Sequence, residues 1–233
     1  MIKNKTTQII YQTAYITLGL VGVVASLGFF DMEFRWDFYI LFTDLSNYFC
    51  IIIMLKELIQ TVKRDKDGYV SATPFMKFCG LLGILLTFLV FNLLLAHASG
   101  RNPADNYKVA SVLLHIMLPL MYTADWILFY EKGKCRLSYP LLSILYPLVY
   151  LAYVYIHAAI LRFDTSILNY HGTDPLIYPY FFLNPERVGI TGVIRWCAAL
   201  LVLFAVGGFA FVGIDRLIMH IKAKTGVSGR EES

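Results

Sequence analysis

Trp36–Leu58, WDFYILFTDLSNYFCIIIMLKEL, is long and apolar enough to span a membrane, yet Thr43, Asp44, Ser46 and Asn47 interrupt its first half. A helix of about 20 residues crosses a hydrocarbon core of roughly 30 Å. Polar groups at that depth are costly unless they find partners, so these four are expected to face a bundle interior or a cavity. Trp36, Tyr39, Thr43, Ser46, Asn47 and Cys50 recur at steps of three and four, which puts them on one helix face.

Five further stretches have the same length and apolar character. The expected spans are residues 8–30, 36–58, 76–96, 109–129, 139–161 and 191–219. Across 233 residues the chain is 58% hydrophobic and 15% charged, with a mean hydropathy of +0.62. Ordinary soluble domains carry about 25% charged residues. The segments between spans are too short for a soluble domain. The expected fold class is therefore all-α: one integral membrane domain over residues 1–233, a polytopic bundle of six transmembrane helices.

Charge sets the expected orientation. With both termini inside, fourteen of the 20 Lys and Arg residues fall in inner segments and six in outer ones. The positive-inside rule then gives N-in, C-in. The net charge of +4 reads as anchoring. No basic reading helix or aromatic platform marks a nucleic-acid partner. No cleavage pattern follows the first apolar run, which is expected to remain as helix one. Cys50, Cys79, Cys135 and Cys197 lack metal-ligand spacing and are expected as free thiols.

Two more helices carry polar stripes: His115, Leu118, Tyr122 and Asp125 on helix four, and Tyr146, Tyr150, Tyr153 and His157 on helix five. Such stripes serve interhelical hydrogen bonding in many membrane bundles, and they also line functional cavities. Depth singles out two residues. At 1.5 Å per residue, Thr43 lies roughly 10 Å below Trp36 and His115 roughly 9 Å below Val109, at matching levels. Asn92 and His157 fall in the same outer half, whereas Asp125 is roughly 15 Å deeper than His115. A threonine hydroxyl becomes a nucleophile when a base removes its proton, and histidine is the natural base near neutral pH. Asn or Tyr side chains could donate to the oxyanion that forms.

The motifs FTDLSN (Phe42–Asn47), HIMLP (His115–Pro119) with Asp125–Trp126, and YPLVY (Tyr146–Tyr150) together resemble a known family. They are similar in order and helix placement to the androgen-induced-protein / androgen-dependent TFPI-regulating-protein family of six-span intramembrane threonine hydrolases, in its bacterial branch. The resemblance covers most of the spanning region. It implies that Thr43 is the nucleophile and His115 its partner. It also implies that the substrate is a membrane lipid or fatty acyl ester, of the kind in which a fatty acid esterifies a hydroxy fatty acid. The run Asp44–Asn47 departs from the animal pattern, so the resemblance speaks more to the pair than to the substrate. A bacterial inner membrane is the location implied, or an endoplasmic reticulum-type membrane in a eukaryotic cell.

In this reading Asp44, Asn47, Asn92, Tyr146, Tyr150, Tyr153 and His157 support the pair or line its cavity. Arg195, at the outer end of helix six, is the candidate to hold a fatty carboxylate, or else it snorkels to the interface. Neither cofactor nor metal is called for. Two other classes stay open. A zinc-dependent membrane hydrolase would use His97, His115 and His157 with Asp44 nearby. A transporter or non-enzymatic scaffold would use the same polar residues and the kinks expected at Pro119 and Pro147. The outer segment between the last two spans is rich in proline and aromatics. Tyr178–Phe182 within it read as an interfacial anchor or as a lid over an outward-facing cavity.

Overall fold

Asn4 opens the first helix by accepting the Thr7 N–H at 2.9 Å. Prolines in the first turn start the third and fifth, where a missing N–H costs nothing. A computed structural model describes residues 2–32, 34–65, 71, 73–97, 102–163 and 176–231. Among them six helices are long and apolar enough to cross a membrane: α1 Lys5–Ser26, α2 Phe42–Lys63, α3 Pro74–Leu95, α4 Val109–Leu128, α5 Tyr139–Phe163 and α6 Pro185–Ile221. No described residue lies in a strand. The chain is thus an all-helical, multi-pass membrane protein. Residues 27–32, 34–41, 96–97, 102–108 and 176–184 gather at one end, called upper here. Residues 2–4, 64–65, 71, 73 and 129–138 lie at the lower end.

Two boundaries differ from the sequence reading in ways that matter. The second helix does not begin at Trp36. Trp36–Tyr39 form one separate 3₁₀ turn, and α2 starts at Phe42, so Thr43 stands in its first turn rather than two turns down. Side chains from elsewhere hold the break open. Tyr150 and Tyr153 of α5 donate to the carbonyls of Ile40 and Tyr39, at 2.8 and 3.0 Å. The sixth helix begins earlier than expected, at Pro185, and bends at Gly189, whose φ of 70° suits glycine and strains other residues.

α1 to α4 make the tightly packed part of the bundle. Glycine lets α1 sit close: a Cβ added at Gly22 would come within 2.7 Å of the Leu114 side chain on α4. Small residues at helix crossings have this role throughout membrane bundles. α5 and α6 are peripheral and the least buried of the six.

Both α3 and α4 widen into a π turn, at Phe91–Leu95 and Leu113–Met117. Pro119 accounts for the second. It has no N–H to give the His115 carbonyl, and the wide turn directs the Leu118 N–H to Leu113 instead of Leu114. Two carbonyls inside the bundle thereby lose their helical donors. Asn47 of α2 supplies one, Nδ2 to the Leu114 carbonyl at 3.1 Å, and Asn92 of α3 the other, Nδ2 to the His115 carbonyl at 3.3 Å. Pro147 acts similarly on Ser143, and the helix of α5 breaks at Ile144.

The lower half buries a second polar set. Lys77, which reads in sequence as an inner-surface cation, is fully buried and ion-paired to Asp125, with Glu57 Oε2 4.0 Å from its Nζ.

Candidate functional site

Thr43 and His115 line one chamber of about 330 Å³ at the upper end of α1–α4. Asp44, Arg35 and Asp37 share its wall, and Pro179 and Tyr180 form part of its cover. Although the new start of α2 moves Thr43 relative to the expected helix, the two residues still meet across a common space.

Thr43 is 5% exposed and Asp44 4%. A threonine inside a helix commonly donates to the carbonyl three or four residues earlier. Here those carbonyls belong to Ile40 and Tyr39 and accept from Tyr150 and Tyr153, and the Thr43 side chain hydrogen-bonds Tyr180. The Thr43 carbonyl accepts from Ser46 Oγ at 3.0 Å and Asn47 Nδ2 at 2.7 Å, and its N–H donates to the Tyr180 hydroxyl at 3.3 Å. Ser46 goes on to meet Thr87 Oγ1 at 2.7 Å, which ties α2 to α3. Ser26 and Ser111 also border the chamber, but their hydroxyls donate to the carbonyls of Val23 and Asp105.

His115 is partly buried in the π turn and stacks on Phe91 of the facing π turn, centroids 3.7 Å apart. Its Nδ1 lies 3.1 Å from the Ser111 carbonyl. A carbonyl only accepts, so Nδ1 carries the proton of the neutral ring and Nε2 is the basic nitrogen. Paired π turns are frequent where helices are bent to functional ends.

Tyr180 is the residue that sequence reasoning did not assign a role in the chemistry. It is buried, its ring lies parallel to Phe182, and its hydroxyl is beside the first turn of α2. Burial pushes its phenol well above the ordinary value, only partly offset by hydrogen bonds from Thr43 and Phe42. It therefore stays neutral and keeps a proton to donate. The signal for it was faint, one tyrosine in an aromatic loop without periodicity. Arg35 was likewise passed over; it pairs with Asp37 through Nη2 at 2.7 Å and faces the chamber.

The remaining candidates fall into distinct places. Asn47 and Asn92 brace α4, as described above. Tyr146 packs on Phe42 and Phe49. Tyr153 and His157 stay outside the chamber around Tyr39, with His157 Nε2 3.0 Å from the Tyr39 hydroxyl. Arg195 is exposed on α6 and is not among the residues lining the chamber. Among the described residues no three of His, Cys, Asp and Glu are gathered as a metal site would need. The four cysteines are free thiols.

Tyr178–Phe182 do lie over the upper end, where Phe181 and Phe182 pack on Trp196. The first half of that outer segment, 164–175, falls outside the described residues. Comparisons with protein-family models, with curated proteins and with solved structures gave no match.

Proposed function

We propose that the protein is an intramembrane lipid ester hydrolase with Thr43 as nucleophile and His115 as general base. The observation that carries this is the shared chamber: Thr43, whose side chain is hydrogen-bonded to Tyr180, and a histidine whose Nδ1 is held by a backbone carbonyl border the same polar space.

The chemistry follows from the placement. His115 Nε2 takes the Thr43 proton as Oγ1 attacks the ester carbonyl. The imidazolium that forms keeps its Nδ1–H on the Ser111 carbonyl, and Asp44 lines the same chamber. Negative charge on the carbonyl oxygen is met by the Tyr180 hydroxyl, which accepts the Thr43 N–H and keeps its own proton to donate. Return of the proton to the leaving alkoxide gives an acyl-threonine, and water attacks that ester by the reverse proton path. The substrate class, fatty acyl esters including those of hydroxy fatty acids, comes from the motif resemblance and suits a site inside a bilayer. With the basic lower end facing the cytoplasm, the chamber opens toward the outer leaflet.

Purified protein in detergent should hydrolyse long-chain fatty acyl esters. Thr43→Ala should abolish turnover while still inserting and purifying as a folded protein. Undiminished turnover by that variant would refute the threonine mechanism.

A further inference from the structure

Thr43 and Tyr180 also border a second space. Behind them lies a slot of about 70 Å³, walled by Phe42 of α2, Leu86 and Val90 of α3, Leu148 and Leu151 of α5, and Leu200 of α6. Its lining is almost all carbon. Of the other hydroxyls there, Thr87 is engaged by Ser46 and Tyr150 by the Ile40 carbonyl. Such a slot has little to offer a polar ligand, because polar groups taken from water need partners.

The slot lies where two helices part. At the lower end α6 packs on Tyr139–Ser143, so closely that a Cβ at Gly208 would come within 3.0 Å of Pro140. At the upper end α6 packs on Phe181–Leu183, and Tyr155 of α5 donates to the Leu183 carbonyl at 3.0 Å. Between these two ties the run Leu145–Phe163 makes no comparable approach to α6, and α3 forms the floor of the gap. Leu148, at the mouth, is 39% exposed. The Phe42 ring, held between Tyr146 and Tyr150 at 5.6 and 4.9 Å, makes a fixed inner wall.

We propose that this gap is a lateral portal for a single acyl chain of a lipid ester. The chain passes from the hydrocarbon between α5 and α6 and comes to rest with its methyl end among Leu148, Leu151 and Leu200 and its ester at Thr43. The position of the ester rests on the hydrolase reading; the seating of the chain does not. A tail arriving from the bilayer exchanges one apolar medium for another, so no polar desolvation opposes its movement. The slot is narrow, which fits one chain. The polar chamber on the other side of Thr43 and Tyr180 receives the alcohol portion, so the two spaces give the ester a direction.

The test uses the full chain in phosphatidylcholine vesicles. The probe is a long-chain fatty acyl ester with a diazirine at the methyl end of its acyl chain, and the adducts are mapped by mass spectrometry after irradiation. Adducts should concentrate on residues 148–151 and 197–201, equally in wild type and in Thr43→Ala. Leu148→Trp and, at a neighbour of Leu200 that also lines the slot, Leu201→Trp fill it and should remove most of that labelling and move turnover toward shorter acyl chains. Leu203→Trp, on an exposed face of α6, should do neither. Adducts spread evenly over the exposed faces of α1 and α6 would overturn the portal. So would labelling that the two slot substitutions leave unchanged in proteins that insert normally. Concentrated adducts without any ester turnover would support the portal and count against the hydrolase reading.

Discussion

Two groups of buried polar residues occupy opposite ends of α2, α3 and α4, and they are satisfied in different ways. At the lower end Lys77, Asp125 and Glu57 consume one another's polarity: the ammonium is ion-paired to Asp125, and Glu57 Oε1 also accepts from Ser71 at 2.6 Å. At the upper end Thr43, Asp44 and His115 border open space, and their neighbours are arranged to leave them there. Tyr150 and Tyr153 take the carbonyls a threonine would use, and Asn47 and Asn92 take the carbonyls that Pro119 strands. Polarity inside a membrane span is thus not by itself the mark of a site. Polarity that faces a cavity is the more telling observation.

If that contrast is right, substitutions at the two ends should damage different things. His115→Ala should lower esterase turnover by roughly 10²–10⁴-fold, the usual contribution of general base catalysis, with little change in thermal stability. Asp125→Asn should do the reverse. Breaking a buried pair costs roughly 3–5 kcal/mol, so detergent-solubilised protein should melt at markedly lower temperature, while folded molecules keep their turnover per site. Loss of activity without loss of stability in Asp125→Asn would erase the distinction.

Tyr180→Phe sharpens the upper end. Removing one donor to a developing oxyanion should lower kcat by roughly 10²-fold and leave KM close to its starting value. A change confined to KM would instead make Tyr180 a wall of the acyl slot. Smaller still is the effect expected of the braces. Asn47→Leu and Asn92→Leu each leave a buried carbonyl without its donor, at about 1–3 kcal/mol. Chemical denaturation would measure it, and turnover should fall only as far as the π turn of α4 shifts.

The six helices were legible in the sequence because hydropathy sums over some 20 residues and tolerates local exceptions. Thr43 and His115 were legible for the opposite reason, as single polar residues against that apolar background. The start of α2 was not, since the break after Tyr39 is made by hydroxyls more than a hundred positions away. Tyr180 was not, because an irregular loop has no period to read. Asn47 and Asn92, expected to support the pair or line its cavity, hydrogen-bond backbone carbonyls of α4. Pro119 carried the clue, because a proline within a helix always leaves the carbonyl four residues earlier in need of a donor. Lys77 counts in sequence as one of the fourteen inner cations, and only tertiary packing against Asp125 reveals it as a buried ion.

The most direct measurement of the central claim is to react the purified protein with a fluorophosphonate and locate the adduct by mass spectrometry. The account predicts one phosphonylated residue, Thr43, with labelling absent in Thr43→Ala, strongly slowed in His115→Ala and preserved in the folded fraction of Asp125→Asn. Full labelling of Thr43→Ala, or an adduct on any residue outside the chamber, would contradict it.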